Sequence, residues 1–207
     1  MPRLRLKICG IATIGEARAA VSAGADAIGL DPAAFPAGGP LAGGFADDAA
    51  LSAISLALPP TVTPVLVTAA LTAGAIAQQV DAVAAMAVQI ARPLPASEYP
   101  GLRRIIRGRR IIQSIPIAEA GAGEAAKACA GFADALHFAP ATADEARLCR
   151  RIADDAGLPV FLRPAQPASL AAMIVAVRPF ALDASLPRRD GRLDEEALRD
   201  LAALAGA

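Results

Sequence analysis

The sequence predicts an α/β fold, a single (βα)8 TIM barrel that occupies residues 1–207 as one domain. Short apolar runs alternate with helical stretches along the whole chain, and eight such strand-then-helix units fit into its 207 residues. Strands that alternate with helices form parallel sheets, and eight short units match a small barrel with tight loops. An open doubly wound sheet is the alternative, but that fold usually has fewer strands and a glycine-rich first turn, which this chain lacks.

The units follow one another from the first residues to the last. The predicted strands are Leu4–Cys9, Asp26–Leu30, Val62–Thr68, Met86–Ala91, Arg110–Ile115, Asp134–Ala139, Pro159–Arg163 and Phe180–Ser185. The helices are predicted to begin near Thr13, Asp47, Thr72, Ala96, Glu119, Ala143 and Pro167, and the last runs from Asp194 to the end. Thr13 and Glu16 have the spacing of a capping box, and Gly24 ends the first helix just before the second strand.

One long irregular stretch interrupts this pattern at Asp31–Phe45, which reads DPAAFPAGGPLAGGF. Its four glycines and three prolines exclude a regular helix or strand. It follows the second strand, at the face where barrel enzymes build their active sites. Two interpretations stay open: a lid over the site, or a low-complexity connector.

The composition indicates a folded protein that does not bind nucleic acid. Hydrophobic residues make up 55% of the chain and charged residues 19%, which argues against disorder. Twenty basic and twenty acidic side chains cancel, so the basic surface of a nucleic-acid-binding protein is not expected. Because the chain has no long apolar run and no signal region ahead of the first strand, we expect a cytoplasmic protein without membrane association. A monomer and a homodimer are both compatible with the sequence.

The cysteines do not indicate a disulfide or metal protein. Cys9, Cys129 and Cys149 are odd in number and widely spaced, which disfavours a disulfide framework and a zinc site. No motif indicates a metal ion or a nucleotide cofactor, so no cofactor is predicted.

The first strand ends on a thiol in a position suited to catalysis. Cys9 closes the apolar run that begins at Leu4, and parallel barrels place their chemistry at the C-terminal ends of strands. Lys7 is two residues earlier, so strand alternation points both side chains into the barrel. A neighbouring cation lowers the pKa of a thiol and so supports a thiolate.

Two motifs resemble a known family. KICGI at Lys7–Ile11, followed by GADAIG at Gly24–Gly29, is similar to the phosphoribosylanthranilate isomerases, (βα)8 enzymes of tryptophan biosynthesis. Weaker likeness continues at Leu58–Val67, at Val88 and Gln89, and at Ala176–Ser185, so that it covers essentially the whole chain. The resemblance implies an Amadori isomerisation, in which an aminoaldose phosphate becomes an aminoketose phosphate. Such a reaction needs an acid to open the ribose ring and a base, here Cys9, to remove the C2 proton.

The chain departs from the family pattern at the catalytic and substrate-binding positions other than Cys9. The resemblance places the family's acid at Ala139 and a fourth-strand histidine at Ala91, and alanine cannot move a proton. The phosphate-binding glycines are replaced in Arg163-Pro164-Ala165-Gln166 and after Ser185, and Asp31–Phe45 contains no clamping arginine. Two alternatives to the family reaction therefore stay open. One is a diverged enzyme that uses Cys9 on a different anionic small molecule, and the other is a non-catalytic relative that binds a ligand or a protein.

A group of polar residues at or just past the strand ends supplies the candidate site. The members are Cys9, Asp31, Gln89, Arg92, Gln113, His137, Arg163, Asp183, Ser185 and Arg188. From it we expect Cys9 and His137, with Lys7, to be catalytic, and Arg163, Arg188, Ser185, Arg92, Gln89 and Asp31 to bind a small, anionic substrate. Arginine forks hold phosphates and carboxylates, and a histidine exchanges protons near neutral pH. His137, the one histidine of the chain, is equally compatible with a core position.

Overall fold

Eight parallel strands close into a barrel within the residues that the computed structural model describes, which are 3–32, 47–163, 170–189 and 192–206. The strands are β1 (Arg5–Cys9), β2 (Ala27–Leu30), β3 (Thr63–Thr68), β4 (Ala87–Ile90), β5 (Arg110–Ser114), β6 (Ala135–Phe138), β7 (Val160–Leu162) and β8 (Ala181–Ser185). They pair in chain order, and β8 closes the barrel against β1, with Lys7 opposite Asp183 and Cys9 opposite Ser185. The predicted (βα)8 TIM barrel is confirmed, and each predicted strand contains the observed one.

The helices alternate with these strands and cover the outside of the barrel. They are α1 (Ile14–Ser22), α2 (Asp48–Leu56), α3 (Ala73–Ala82), α4 (Glu98–Ile105), α5 (Ala122–Cys129), α6 (Ala143–Ala156), α7 (Leu170–Val177) and α8 (Glu195–Ala205). The Thr13 hydroxyl accepts a hydrogen bond from the Glu16 N–H, and the Glu16 carboxylate accepts one from the N–H of Ala12. The first helix is therefore capped by the two predicted residues.

Two details of the chain path differ from the sequence prediction. α5 begins at Ala122 rather than near Glu119, because the Glu119 N–H closes a turn on the Pro116 carbonyl and Gly121 has a φ of +92°. A short antiparallel hairpin, β9 (Arg188–Arg189) with β10 (Arg192–Leu193), follows β8 and was not predicted. Most of the predicted loop Asp31–Phe45, and the predicted helix start at Pro167, lie outside the described residues.

Strand alternation divides the side chains between two environments. Large aliphatic residues such as Leu6, Ile8, Ile28 and Leu66 face outward and form the main core against the helices. Nearer the N-terminal end of the barrel, one inward layer of small or apolar side chains is formed by Ala27, Val65, Ala87, Ile112 and Ala135, whereas the inward positions near the strand C-termini are polar. The buried charges Lys7, Asp31 and Asp183 therefore lie inside the C-terminal end of the barrel. In the described parts of the chain, no helix is both long enough and apolar enough to cross a membrane.

Candidate active site

One carboxylate, Asp183 on β8, is the centre of the polar end of the barrel. It is completely buried, and Lys7 Nζ lies 3.0 Å from its Oδ1. The Cys9 thiol donates to the same oxygen over 3.3 Å. On the other side, His137 Nε2 and Arg163 Nη2 lie 2.9 and 3.0 Å from Oδ2. The ends of β1, β6 and β7 therefore bring four side chains onto the single carboxylate of β8.

The contacts on Oδ2, an ionic one from Arg163 and a polar one from His137, are not well-aligned hydrogen bonds. Although the distances are short, neither His137 Nε2 nor Arg163 Nη2 approaches at an angle that makes a hydrogen bond, and Arg163 Nε lacks an acceptor within the described residues. Arg163 is almost wholly buried. A buried guanidinium with unused donors is a strong attractor for a carboxylate or a phosphate.

The charges of the cluster stabilise each other. Burial opposes ionisation of Asp183, but Arg163 and Lys7, with His137, hold the pKa of Asp183 well below its usual range. Burial likewise acts to lower the pKa of Lys7, but Asp183 and then Cys9 outweigh it, so the pKa of Lys7 is raised. Lys7 and Asp183 are consequently both charged at neutral pH.

Cys9 is a protonated thiol in this environment. Burial, reinforced by the negative charge of Asp183, raises the pKa of Cys9 to about 12, even though Lys7 Nζ lies 2.8 Å from Sγ and acts in the opposite direction. The site for this thiol is shaped by Gly29 on the neighbouring strand, since a Cβ atom at Gly29 would lie 2.3 Å from Sγ. The expected Lys7 contact is present, but it does not produce a thiolate in the resting protein.

His137 is linked to the cluster through both ring nitrogens. Nδ1 lies 3.1 Å from the Ser114 hydroxyl, and that hydroxyl oxygen accepts a hydrogen bond of 3.2 Å from the Gln89 amide. Because Ser114 has one proton to give, the network assigns it to Nδ1 and leaves the ring proton on Nε2, facing Asp183. Burial lowers the pKa of His137 despite the opposing carboxylate, so the imidazole is neutral at pH 7.

Asp31 joins the ends of β1 and β2 at the edge of this cluster. Its Oδ2 accepts a hydrogen bond of 2.7 Å from the N–H of Gly10, whose φ of +77° turns the chain out of β1 in a conformation that favours glycine. Its Oδ1 is buried and has no donor in the described parts of the chain. Burial raises the pKa of Asp31, although Lys7 opposes it. The Gln89 Oε1 atom is a second buried acceptor of this kind among the described residues.

The remaining predicted residues lie apart from the cluster. Arg188 donates to the Gly10 carbonyl over 2.9 Å and forms an ion pair with Glu16. Arg92 and Ser185 are exposed at the ends of β4 and β8. The structure thus brings Arg163 into the barrel interior and does not place the three predicted arginines on a common partner.

Gln113 corrects one expectation and Ser114 supplies a residue that sequence reasoning missed. Gln113 lies in the outward phase of β5, where the Tyr99 hydroxyl donates to its amide oxygen and its amide nitrogen donates to the Arg92 carbonyl. Ser114, one residue later, is in the inward phase. Counting in twos from the buried Ile112 would have found it. Asp183 belonged to the strand-end group, but no sequence signal marked it as the shared partner.

Comparison with known proteins adds to this geometry. No family model matches the chain. The N-(5'-phosphoribosyl)anthranilate isomerase of Methanocella arvoryzae is 31% identical over 86% of this chain and 86% of its own length. That of Halobacterium salinarum is 31% identical over 98% of this chain and 96% of its own.

The chain belongs to the phosphoribosylanthranilate isomerase family. Solved phosphoribosylanthranilate isomerases share its fold: one, in complex with reduced 1-(o-carboxyphenylamino)-1-deoxyribulose 5-phosphate, has a TM-score of 0.78 at 22% identity over 98% of both chains. The isomerase of Thermus thermophilus has a TM-score of 0.76 at 24% identity, over 98% of this chain and 99% of its own.

Within this phosphoribosylanthranilate isomerase fold, the position that the resemblance gives to the acid is exposed and inert. Ala139 follows β6 directly and faces solvent. In the same strand phase, His137 is the nearest side chain that carries a proton, and it contacts Asp183. The chemistry available at this end of the barrel is therefore a thiol, an imidazole and three permanent charges.

Proposed function

We propose that this protein catalyses the family's Amadori isomerisation, converting N-(5'-phosphoribosyl)anthranilate into the corresponding aminoketose phosphate. The observation that carries the proposal is the contact of Cys9 with Lys7 and Asp183 at the C-terminal end of β1. Membership of the family supplies the substrate class. The partner is then a small anionic substrate, met in the cytoplasm by a monomer or a homodimer.

The cluster offers a role for each step. Opening of the ribose ring transfers a proton to the ring oxygen, and His137 Nε2–H supplies it in place of the alanine at 139, while the Cys9 thiol proton passes to His137 by way of the Asp183 carboxylate and keeps the imidazole neutral. That transfer leaves Cys9 as a thiolate paired with Lys7. The thiolate then removes the C2 proton, and the electron pair of the C–H bond forms the C1–C2 double bond of the enolamine as the C1–N double bond made on ring opening becomes single. Ketonisation to the aminoketose completes the isomerisation, so no atom is gained or lost.

Substrate binding is assigned to the polar groups that the fold leaves open. Arg163, with buried donors unused, anchors an anionic group of the substrate. The free acceptors of Asp31 and Gln89 receive hydroxyl or amine protons. Ser185 and Arg92, both exposed at strand ends, contribute at the rim, and Arg188 acts through its hold on the turn at Gly10.

The test is complementation of a tryptophan auxotroph that lacks this isomerase, followed by kinetics on the purified protein. Growth with the wild type and no growth with Cys9→Ala supports the proposal. Cys149→Ala is the matched control, because Cys149 is a buried thiol on α6, outside the cluster. Purified His137→Gln is expected to lose roughly 10²- to 10⁴-fold in kcat, the usual contribution of an acid or base. Failure of the wild type to grow or turn over contradicts the proposal.

A second candidate is a relative that binds an anion without catalysis. It is favoured by the resting state of the cluster, in which Cys9 is protonated and the charge of Asp183 is balanced by Lys7 and Arg163. In that case an anionic substrate analogue binds the wild type and Cys9→Ala equally, Arg163→Gln weakens binding, and neither protein turns over.

A further inference from the structure

The barrel has a second opening, at the N-terminal ends of its strands, that leads into a cavity of about 580 Å³. Its lining residues include none of the side chains of the Asp183 cluster. The wall inside the barrel is formed by Ala27, Val65, Ala87, Ile112, Ala135, Phe161 and Ala181. This volume lies within the range of small-molecule sites, roughly 300–1,000 Å³.

The cavity exists because the innermost N-terminal layer of the barrel is built from small side chains. Bulky branched residues normally fill this region in (βα)8 barrels. Here β2, β4, β6 and β8 each contribute an alanine at the inward position, Ala27, Ala87, Ala135 and Ala181. Leucine at any one of them would add three carbon atoms to the space. The alanines leave an apolar chamber that opens to solvent between the strand ends.

The carboxylates at the mouth of this cavity are already neutralised. Asp26 forms an ion pair of 2.5 Å with Arg3, and Asp134 forms ion pairs with Arg103 and Arg110 at 2.5 and 2.8 Å. Each of the two carboxylates also accepts a hydrogen bond from a backbone N–H. Neither is therefore available to hold a cationic ligand.

The cation that is left at the mouth is Arg5. Its guanidinium carbon lies 4.3 Å from the centre of the Phe180 ring, and in the described parts of the chain it makes no ion pair with a carboxylate. Phe180 in turn packs against Phe161, with ring centres 5.8 Å apart and planes tilted by 51°. The mouth thus presents one available positive charge beside two aromatic walls, above an apolar chamber.

We infer that this cavity binds a small carboxylic acid with a flat aromatic body. The ring enters the alanine-lined chamber against Phe161, where burial of apolar surface favours it. The carboxylate stays at the mouth and pairs with the guanidinium of Arg5, which is already held over the Phe180 ring. This site is at the opposite end of the barrel from Cys9 and does not depend on the proposed isomerase activity.

The experiment uses 2-naphthoate as the probe. It is titrated with the full-length wild-type protein while the fluorescence of the naphthoate is followed. We expect one site per chain with a Kd below about 1 mM. Arg5→Gln is expected to weaken binding by about 10- to 100-fold, the range for loss of a charge-assisted contact. 2-Naphthamide has the same aromatic body without the charge. It is expected to bind the wild type about as weakly as 2-naphthoate binds Arg5→Gln.

Variants at the two ends of the barrel decide where the probe binds. Val65→Phe fills the chamber from β3, a strand that carries no residue of the Asp183 cluster, and is expected to abolish binding while the protein keeps a cooperative melting transition. If Val65→Phe does not fold, Ala87→Leu is used in its place. Arg163→Gln, at the other end of the barrel, is expected to bind 2-naphthoate as the wild type does. The inference is overturned if binding is absent from the wild type, if it survives filling of the chamber, or if it disappears in an Arg163→Gln protein that keeps its cooperative melting transition.

Discussion

Lys7 and Asp183 form an ion pair of 3.0 Å in which both side chains are completely buried. The pair joins β1 to β8 across the seam where the barrel closes, and it places one carboxylate among the thiol, the imidazole and the guanidinium of the candidate site. An isolated charge inside a protein is costly, so each member of this arrangement depends on its partners.

Asp183→Asn is expected to destabilise the protein by about 3–5 kcal/mol, the usual cost of leaving a buried charge without its partner. The substitution keeps the shape of the side chain but leaves Lys7 and Arg163 close together without a counter-ion. Urea unfolding measures the change. Asp155→Asn, on the exposed face of α6, is the control and should change the free energy of unfolding by less than about 0.5 kcal/mol. A small effect at both positions would show that the cluster does not hold the barrel together.

The stability of the protein is expected to fall on the acid side of neutrality. The pKa of His137 is lowered in the folded state, so its contribution is complete above its usual pKa of 6.5 and is lost as pH decreases through the folded value. Asp183 follows at lower pH, since its contribution is complete above 3.8 and disappears as pH falls through its depressed pKa. Asp31 acts oppositely, because its raised pKa favours the folded state at low pH.

The histidine part of this pH dependence can be isolated with His137→Gln, which removes the one histidine of the chain. Urea unfolding at pH 7 and pH 5 should show a larger loss for the wild type than for the variant. Equal losses would mean that His137 titrates normally in the folded protein.

The alkaline limit has a separate origin. The raised pKa values of Lys7 and Cys9 give contributions that are complete below their usual values of 10.5 and 9.0 and are lost as pH rises through the folded values. We therefore expect a decline in the midpoint of urea unfolding above about pH 9. In Cys9→Ala the decline should be shallower, because Lys7 and the buried thiols of Cys129 and Cys149 still titrate there.

Gly29→Ala is expected to destabilise the protein by about 1–3 kcal/mol, as overpacking of a filled core does. The added Cβ would lie 2.3 Å from Cys9 Sγ and 3.2 Å from the Cys9 Cα, so β1 and β2 would have to separate. The matched control is Gly123→Ala in α5, where the added Cβ meets open space and where alanine should stabilise the helix by about 0.5–1 kcal/mol. Thermal unfolding of the two variants gives the comparison, and equal melting temperatures would contradict it.

The cysteines are expected to be unreactive in the folded protein. Burial raises the pKa of Cys9 and of Cys149 to about 12 and that of Cys129 to about 11, and all three side chains are inaccessible. Because the thiolate is the reactive form, a disulfide reagent at pH 8 should find almost no thiol until guanidinium is added, and then three. A fast-reacting thiol that disappears in Cys9→Ala would show that this side chain is open and ionised.

The sequence predicts the strands well because each one is a short apolar run with clear ends. Period-two alternation also predicts that Lys7 and Cys9 point inward, and the structure places them so. For His137 the alternation left an inward and an outward orientation open, and the structure gives the inward one. Strand alternation could not predict that Asp183 is the shared partner of the site, because its contact with Lys7 spans 176 positions of the chain and forms only when the barrel closes. Arg188 shows the same limit: its partner, Glu16, had already been explained as a helix cap.

The shared carboxylate of Asp183 has an evolutionary consequence. The groups that would retune the chemistry are the same groups that neutralise one another inside the barrel, so a single replacement at Lys7, His137 or Arg163 alters fitness through folding before it alters catalysis. Substitutions therefore cost the least folding stability at positions just outside the strands, such as Ala91 and Ala139. We therefore expect relatives of this chain to differ from it more at the rim of the barrel than in the charged interior.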